Sequence, residues 1–176
     1  MAQTNDNEIN EKIGILLRRE IEAKLIIKFK DFLSSEIGVS KTKHVIREVI
    51  KGIAIEQGHE LTKLNGNSLE AFIQRQEPWT RDGSLETSII KKDKSSYHYN
   101  VIRCKYAEMY KSMGLEELGF DLSCNRDFNL VKGFNKNIRL TRTKTLMQGD
   151  DPVSYTHLRA HETLRYLVCR RVGEKK

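Results

Sequence analysis

Apolar positions recur every three or four residues through the first half of the chain and every second residue through parts of the second. Helices are therefore expected to precede strands. Ile9, Ile13, Leu16, Leu17, Ile21, Ile27, Phe29, Phe32 and Leu33 approximate one helical stripe, with Asp6 or Asn7 placed to cap its start. Gly38 stops that helix and Ser40 can cap the next, which carries Val45, Ile46, Val49, Ile50, Ile53, Leu61 and Leu64, with Gly58 as a tolerated weak point. A short third helix from Ser68 presents Leu69, Phe72 and Ile73 before Pro78 and Trp79.

The period then changes. Leu85–Lys92 and Tyr97–Cys104 read as strands joined by the polar turn Asp93-Lys-Ser-Ser96. Lys105–Met113 reads as a helix ended by Gly114, and Asn125 can cap a short helix released at Gly133. Ile138–Met147 alternates as a further strand, with Ile138, Leu140, Arg142, Lys144 and Leu146 on one side and Arg139, Thr141, Thr143, Thr145 and Met147 on the other. Gly149-Asp-Asp151 is a turn. The expected architecture is α+β, with N-terminal helices packed on a small antiparallel sheet.

The residues with reactive chemistry gather between 104 and 151. Cys124 precedes an expected helix start, where unpaired amides and the helix dipole favour a thiolate, and Arg126 would favour it further. The competing role is that of a small buried hydrophobe. Asp127 is suited to act as a general base or to cap the first helical turn. Cys104, at a strand end, faces either core or pocket. Thr143 and Thr145 line a pocket with Arg139, whose guanidinium grips a carboxylate, or else form an ordinary solvent-facing strand surface. Asp150 and Asp151 are turn formers by default.

These segments, in this order, resemble the L-2-amino-thiazoline-4-carboxylic acid hydrolase family over roughly residues 10–151. Carrying the resemblance are Cys104-Lys-Tyr-Ala-Glu-Met-Tyr110 with Gly114-Leu115, then Cys124 and Asp127, Gly133-Phe-Asn135, and Thr143-Lys-Thr-Leu-Met-Gln-Gly-Asp-Asp151. The resemblance implies hydrolytic opening of the ring of a cyclic amidine at a carbon–nitrogen bond, giving a carbamoyl-cysteine. In that reading Cys124, Asp127 and Asp150 are catalytic, and Cys104, Arg139, Thr143 and Thr145 bind substrate. The alternative is a non-catalytic small-molecule-binding or sensing domain of the same fold.

Family members continue after the Gly-Asp-Asp with a His-Cys-Asp-Phe-like strand, where this chain has Pro152 and Val153. Residues 153–176 resemble a translated sequencing-adapter read-through. The expectation is a hydrolase-like domain over 1–152 with its final strand missing, followed by an artefactual tail. The other reading of the tail is a helix, since Leu158, His161, Leu164, Leu167 and Val168 fall at helical spacing.

Composition sharpens this picture only where charge is concerned. The chain of 176 residues carries 31 Lys+Arg against 24 Asp+Glu, a net charge of +7. Residues 153–176 hold six of the basic residues and two of the acids, so residues 1–152 carry only +3, with both signs interspersed. A nucleic-acid partner is not expected. Apolar runs are too short for a membrane span, and residues 1–12 lack the pattern of a secretion signal. Three cysteines make no disulfide framework, so a reduced cytoplasmic setting is expected. No spacing of metal ligands or phosphate loop occurs, so neither metal nor cofactor is expected.

Overall fold

The computed structural model of the chain describes residues 6–149 and 154–160. Helices α1 (Asp6–Ile13), α2 (Ile15–Ile37) and α3 (Val39–Asn65) succeed one another across single glycines. Gly14 and Gly38 take φ of 73° and 86°, the left-handed region where a side chain is strained, so each breaks the helix and redirects the chain. Next come α4 (Leu69–Gln74), capped by the Ser68 side chain accepting from the Ala71 amide, and the single turn α5 (Glu77–Thr80). Strands β1 (Leu85–Lys92) and β2 (Ser96–Cys104) form a hairpin, followed by α6 (Lys105–Ser112), α7 (Glu116–Gly119), α8 (Asn125–Phe134), β3 (Ile138–Arg142) and β4 (Ser154–Ala160).

The four strands form one antiparallel sheet in the order β1-β2-β4-β3. The α+β expectation therefore holds, but the expectation of a missing final strand does not. Ser154–Ala160 lies inside the sheet, with Leu158 paired to Tyr97 on one side and Leu140 on the other. The helical reading of Leu158 fails with it. Alternation is the physical reason: Leu158 is buried while Arg159 is exposed, the period of a strand. The remainder of the tail, from His161, lies outside the described residues.

One face of the sheet is buried, through Tyr97, Tyr99, Val101, Ile138 and Leu158. It packs with α3, α4 and α8 around Ala54, Leu61, Phe72, Leu130, Val131 and Phe134. A second apolar cluster joins α2, α3, α6 and α7 through Ile15, Ala23, Ile46, Ile50, Tyr110, Leu118 and Leu122.

Two sequence readings change here. Gly58 is not a weak point in α3: a Cβ at Gly58 would overlap the α8 backbone at Leu130 and Phe134, and one at Gly133 would overlap the α3 backbone at Ile55. The two helices approach so closely that neither position tolerates a side chain, and Gly133 lies within α8 instead of releasing it. The stripe on α2 turns the other way from expectation. Ile15, Arg19 and Ala23 face inward, while Leu17, Ile21, Leu25, Phe29 and Phe32 are 47–65 % exposed. Even so, no helix among the described residues is long and apolar enough to cross a membrane.

Candidate active site

Between the two apolar clusters lies a cavity of about 120 Å³. A single water needs about 10–15 Å³, so there is room for a ligand of roughly ten heavy atoms. Most of the wall is apolar, from Ile15, Phe72, Trp79, Leu130, Leu140 and Leu158. Its polar groups come from separate elements: Arg19 from α2, Cys104 from the end of β2, Cys124 from the turn before α8, Arg126 and Asp127 from the first turn of α8, Arg142 from β3, and Thr145 beyond it. An apolar cleft with a few convergent polar groups is the usual form of a small-molecule site.

Cys124 is reached through a π-helical turn, Phe120–Cys124, that runs directly into α8. Its φ and ψ of −62° and −42° are already helical, so it does not stand at a free helix N-terminus. The amide groups invoked to stabilise a thiolate are therefore committed to the preceding turn. Burial pushes the Cys124 thiol up to about 12, with Asp127 and Cys104 adding to the rise and Arg142 and Thr145 opposing it. At neutral pH it is a thiol. Cys104 is also raised, chiefly by burial, although the Ala107 and Tyr106 amides donate to it and oppose the shift. Both are free cysteines.

Asp127, in the first turn of α8, meets Arg142 across the cavity wall. Arg142 Nη2 donates to Asp127 Oδ2 at 2.8 Å, and its Nη1 reaches the Cys124 carbonyl at 3.4 Å. The guanidinium lies 5.7 Å from the centre of the Phe128 ring. Burial alone would lower the Arg142 pKa, but Asp127, Tyr99 and Cys124 outweigh it and the net shift is upward. Arg142 is thus a fixed cation whose charge is felt by both sulfurs.

The remaining expected site residues separate. Thr145 is buried, lines the cavity and caps a 3-10 turn over Leu146–Gln148, accepting from the Gln148 amide at 3.2 Å. That turn ends the strand at Arg142, not at Met147. Arg139 and Thr143 are exposed and are not part of the cavity wall. Asp150, with Asp151, lies outside the described residues.

Three arginines at the cavity, Arg19, Arg126 and Arg142, had not been singled out for binding. The signals were present in the pattern. Arg142 shares the apolar side of its strand with Ile138 and Leu140, and Arg19 sits four residues from both Ile15 and Ala23 on the inward face of α2. A cation at a core position marks a buried site more surely than one on a polar face. Trp79 and Tyr106 close the wall beside them, and the Tyr106 hydroxyl donates to the Trp79 carbonyl at 3.2 Å. Among the described residues, no three His, Cys, Asp or Glu side chains come together as a metal site.

Residues 18–152 match the L-2-amino-thiazoline-4-carboxylic acid hydrolase family. No curated protein matches the chain. Among solved structures, it is similar to a trafficking protein particle complex subunit 3 from Naegleria fowleri covalently bound to palmitic acid. That likeness has a TM-score of 0.44 and 13 % identity over 83 % of this chain and 96 % of the other.

Proposed function

Because the chain belongs to the L-2-amino-thiazoline-4-carboxylic acid hydrolase family, we propose that it is a hydrolase opening the ring of a cyclic amidine at a carbon–nitrogen bond. The observation that carries this reading is the meeting of Cys104, Cys124, Asp127 and Arg142 on one cavity wall. All of these except Arg142 belong to the segments that resemble the family.

In the proposed reaction, water attacks the amidine carbon and its oxygen becomes the carbonyl oxygen. The ring carbon–nitrogen bond breaks, and the departing nitrogen takes both protons that water gives up, one as water adds across the carbon–nitrogen double bond and one as the bond breaks. For 2-amino-thiazoline-4-carboxylate the product is a carbamoyl-cysteine that keeps its carbonyl on sulfur. Asp127 is the group suited to take the proton from water and return it to nitrogen. Arg142, bonded to one of its oxygens, fixes the carboxylate's position. Cys124, held as a thiol by its surroundings, favours water over sulfur as the attacking group. Its proton is then available to the substrate as a hydrogen bond.

The test is to incubate the full chain with 2-amino-thiazoline-4-carboxylate and follow the gain of one water by mass spectrometry. Turnover that disappears in a folded Asp127→Asn variant and persists, reduced, in Cys124→Ser supports the reading. Binding of the thiazoline with no product would show a sensing domain instead.

A further inference from the structure

The cavity holds more positive charge than its own acids offset. Arg142 is taken up by Asp127. Arg19 and Arg126 of the cavity wall, together with Arg18, converge on a single carboxylate, Glu22. Arg19 Nη1 donates to Glu22 Oε2 at 2.6 Å, and Arg18 Nε donates to Glu22 Oε1 at 2.9 Å. Arg126 Nη1 reaches the already occupied Oε2 only at 3.5 Å, the outer limit of such a contact.

Arg126 is 4 % exposed and Arg19 6 %, and both line the cavity. The Nε of Arg126 is buried with no hydrogen-bond partner. Leaving a guanidinium in this state is costly, and a folded chain normally pairs such a group or retains it for a ligand. The strain registers in its acidity: burial and the neighbouring Arg19 push Arg126 down to about 10, against the pull of Glu22. The phenol of Tyr110, also buried beside these charges, is held neutral by its own burial.

We propose that Arg126, supported by Arg19, is a carboxylate-binding site within the cavity, the anchor for a small organic monoanion. The role earlier given to Arg139 passes to a buried pair on α2 and α8, because Arg139 lies on the solvent face of the sheet. A planar guanidinium with an unused Nε–H offers the fork geometry that a carboxylate accepts. The anchored ligand leaves Cys124, Asp127 and Arg142 for its other end. That last step rests on the hydrolase reading above; the anion site itself does not.

The experiment uses the full chain and L-thiazolidine-4-carboxylate, a saturated ring with no amidine to hydrolyse. Trp79, the only tryptophan, lines the cavity and reports binding by its fluorescence. The acid should bind at least tenfold more tightly than its carboxamide. Arg126→Met should lose at least tenfold of that affinity, Arg126→Lys should keep part of it, and Arg139→Gln should match the parent chain. Because Arg126→Met removes an incompletely paired buried cation, its melting temperature should not fall. Equal binding of acid and amide, failure of the acid to bind, or undiminished binding by Arg126→Met overturns the proposal. If Arg126→Met does not fold, the comparison of acid with amide on the parent chain and on Arg126→Lys still decides. Acid-selective binding without thiazoline turnover leaves the anion site standing and removes the hydrolase reading. Turnover unaffected by Arg126→Met does the reverse.

Discussion

Arg142 and Asp127 are joined at 2.8 Å across the base of the cavity, but their side chains are unequally shielded, 9 % exposed against 41 %. Removing one partner therefore does not mirror removing the other. Asp127→Ala removes the carboxylate that faces a buried cation and should cost about 2–3 kcal/mol of stability. Arg142→Met leaves a carboxylate that water reaches and should cost about 1 kcal/mol. The double variant should be no less stable than Asp127→Ala alone. Urea denaturation of the four chains checks this, and additive single costs would show that the contact is energetically idle.

The two thiols should behave as protonated groups. With Cys124 pushed up to about 12 by burial, alkylation by a small reagent at pH 8 should be on the order of a hundredfold slower than for an unhindered cysteine. Its rate should rise about tenfold per pH unit without levelling below pH 11. A plateau near pH 8 would mean that the sulfur is a thiolate after all.

The same shift carries a stability consequence of definite sign. The folded chain holds the Cys124 proton more tightly than the unfolded chain does, as it does the proton of Tyr110, raised to about 12 by burial. The contribution is therefore complete below about pH 9 and is lost as pH rises toward 12. Between pH 9 and 10 Cys124 alone should account for about 1 kcal/mol. Comparing the parent chain with Cys124→Ser over that interval isolates it, since the variant should show the smaller decline.

Gly58 and Gly133 carry the contact between α3 and α8, the helix that presents Asp127 and Arg126. Each glycine to alanine change here gains helix propensity of about 1 kcal/mol but drives a methyl group into opposing backbone. The overlap should win, with a net loss of roughly 2–3 kcal/mol. Gly52, on the same α3 but with open space around it, is the control. Gly52→Ala should raise stability by about 0.5–1 kcal/mol. Thermal melts of the three variants separate crowding from propensity.

Local pattern was enough for the elements whose signal is local. Alternation places β1 at Leu85–Lys92 and β2 at Tyr97–Cys104, one residue short of the observed Ser96–Cys104, and Asp93 closes their turn by accepting from the amides of Ser95 and Ser96. What escaped depends on partners distant in sequence. Nothing near Gly58 announces Leu130 and Phe134, so a packing glycine reads as a flaw. Nothing near Cys124 shows that the preceding turn consumes its amides. Thr145 looks like a strand residue until its hydroxyl caps a 3-10 turn, which also places Arg142 as the last residue of β3. The site was legible as a set of residue types around Cys124 and Asp127. The cation expected to grip a carboxylate, Arg139, lies on the exposed face of β3, and the cations of the cavity wall are Arg142 of that strand with Arg19 and Arg126 of two helices.

β4 tests the architecture most directly, because it occupies the slot between β2 and β3 and pairs with both. Leu158 is 1 % exposed, so Leu158→Asp buries an unpaired charge and should abolish cooperative unfolding. One residue on, Arg159 faces solvent opposite Arg139, two like charges directly across the ladder. Arg159→Glu should therefore be harmless or stabilising by about 0.2–1 kcal/mol. A chain ending at Pro152 loses both ladders that β4 makes, leaving β2 and β3 without their shared partner, and should not melt cooperatively. Circular dichroism melts of the three chains give the answer. If Leu158→Asp and the shortened chain unfold as sharply as the parent, residues 154–160 are not a structural strand, and the sheet closes on Ile138–Arg142 by other means.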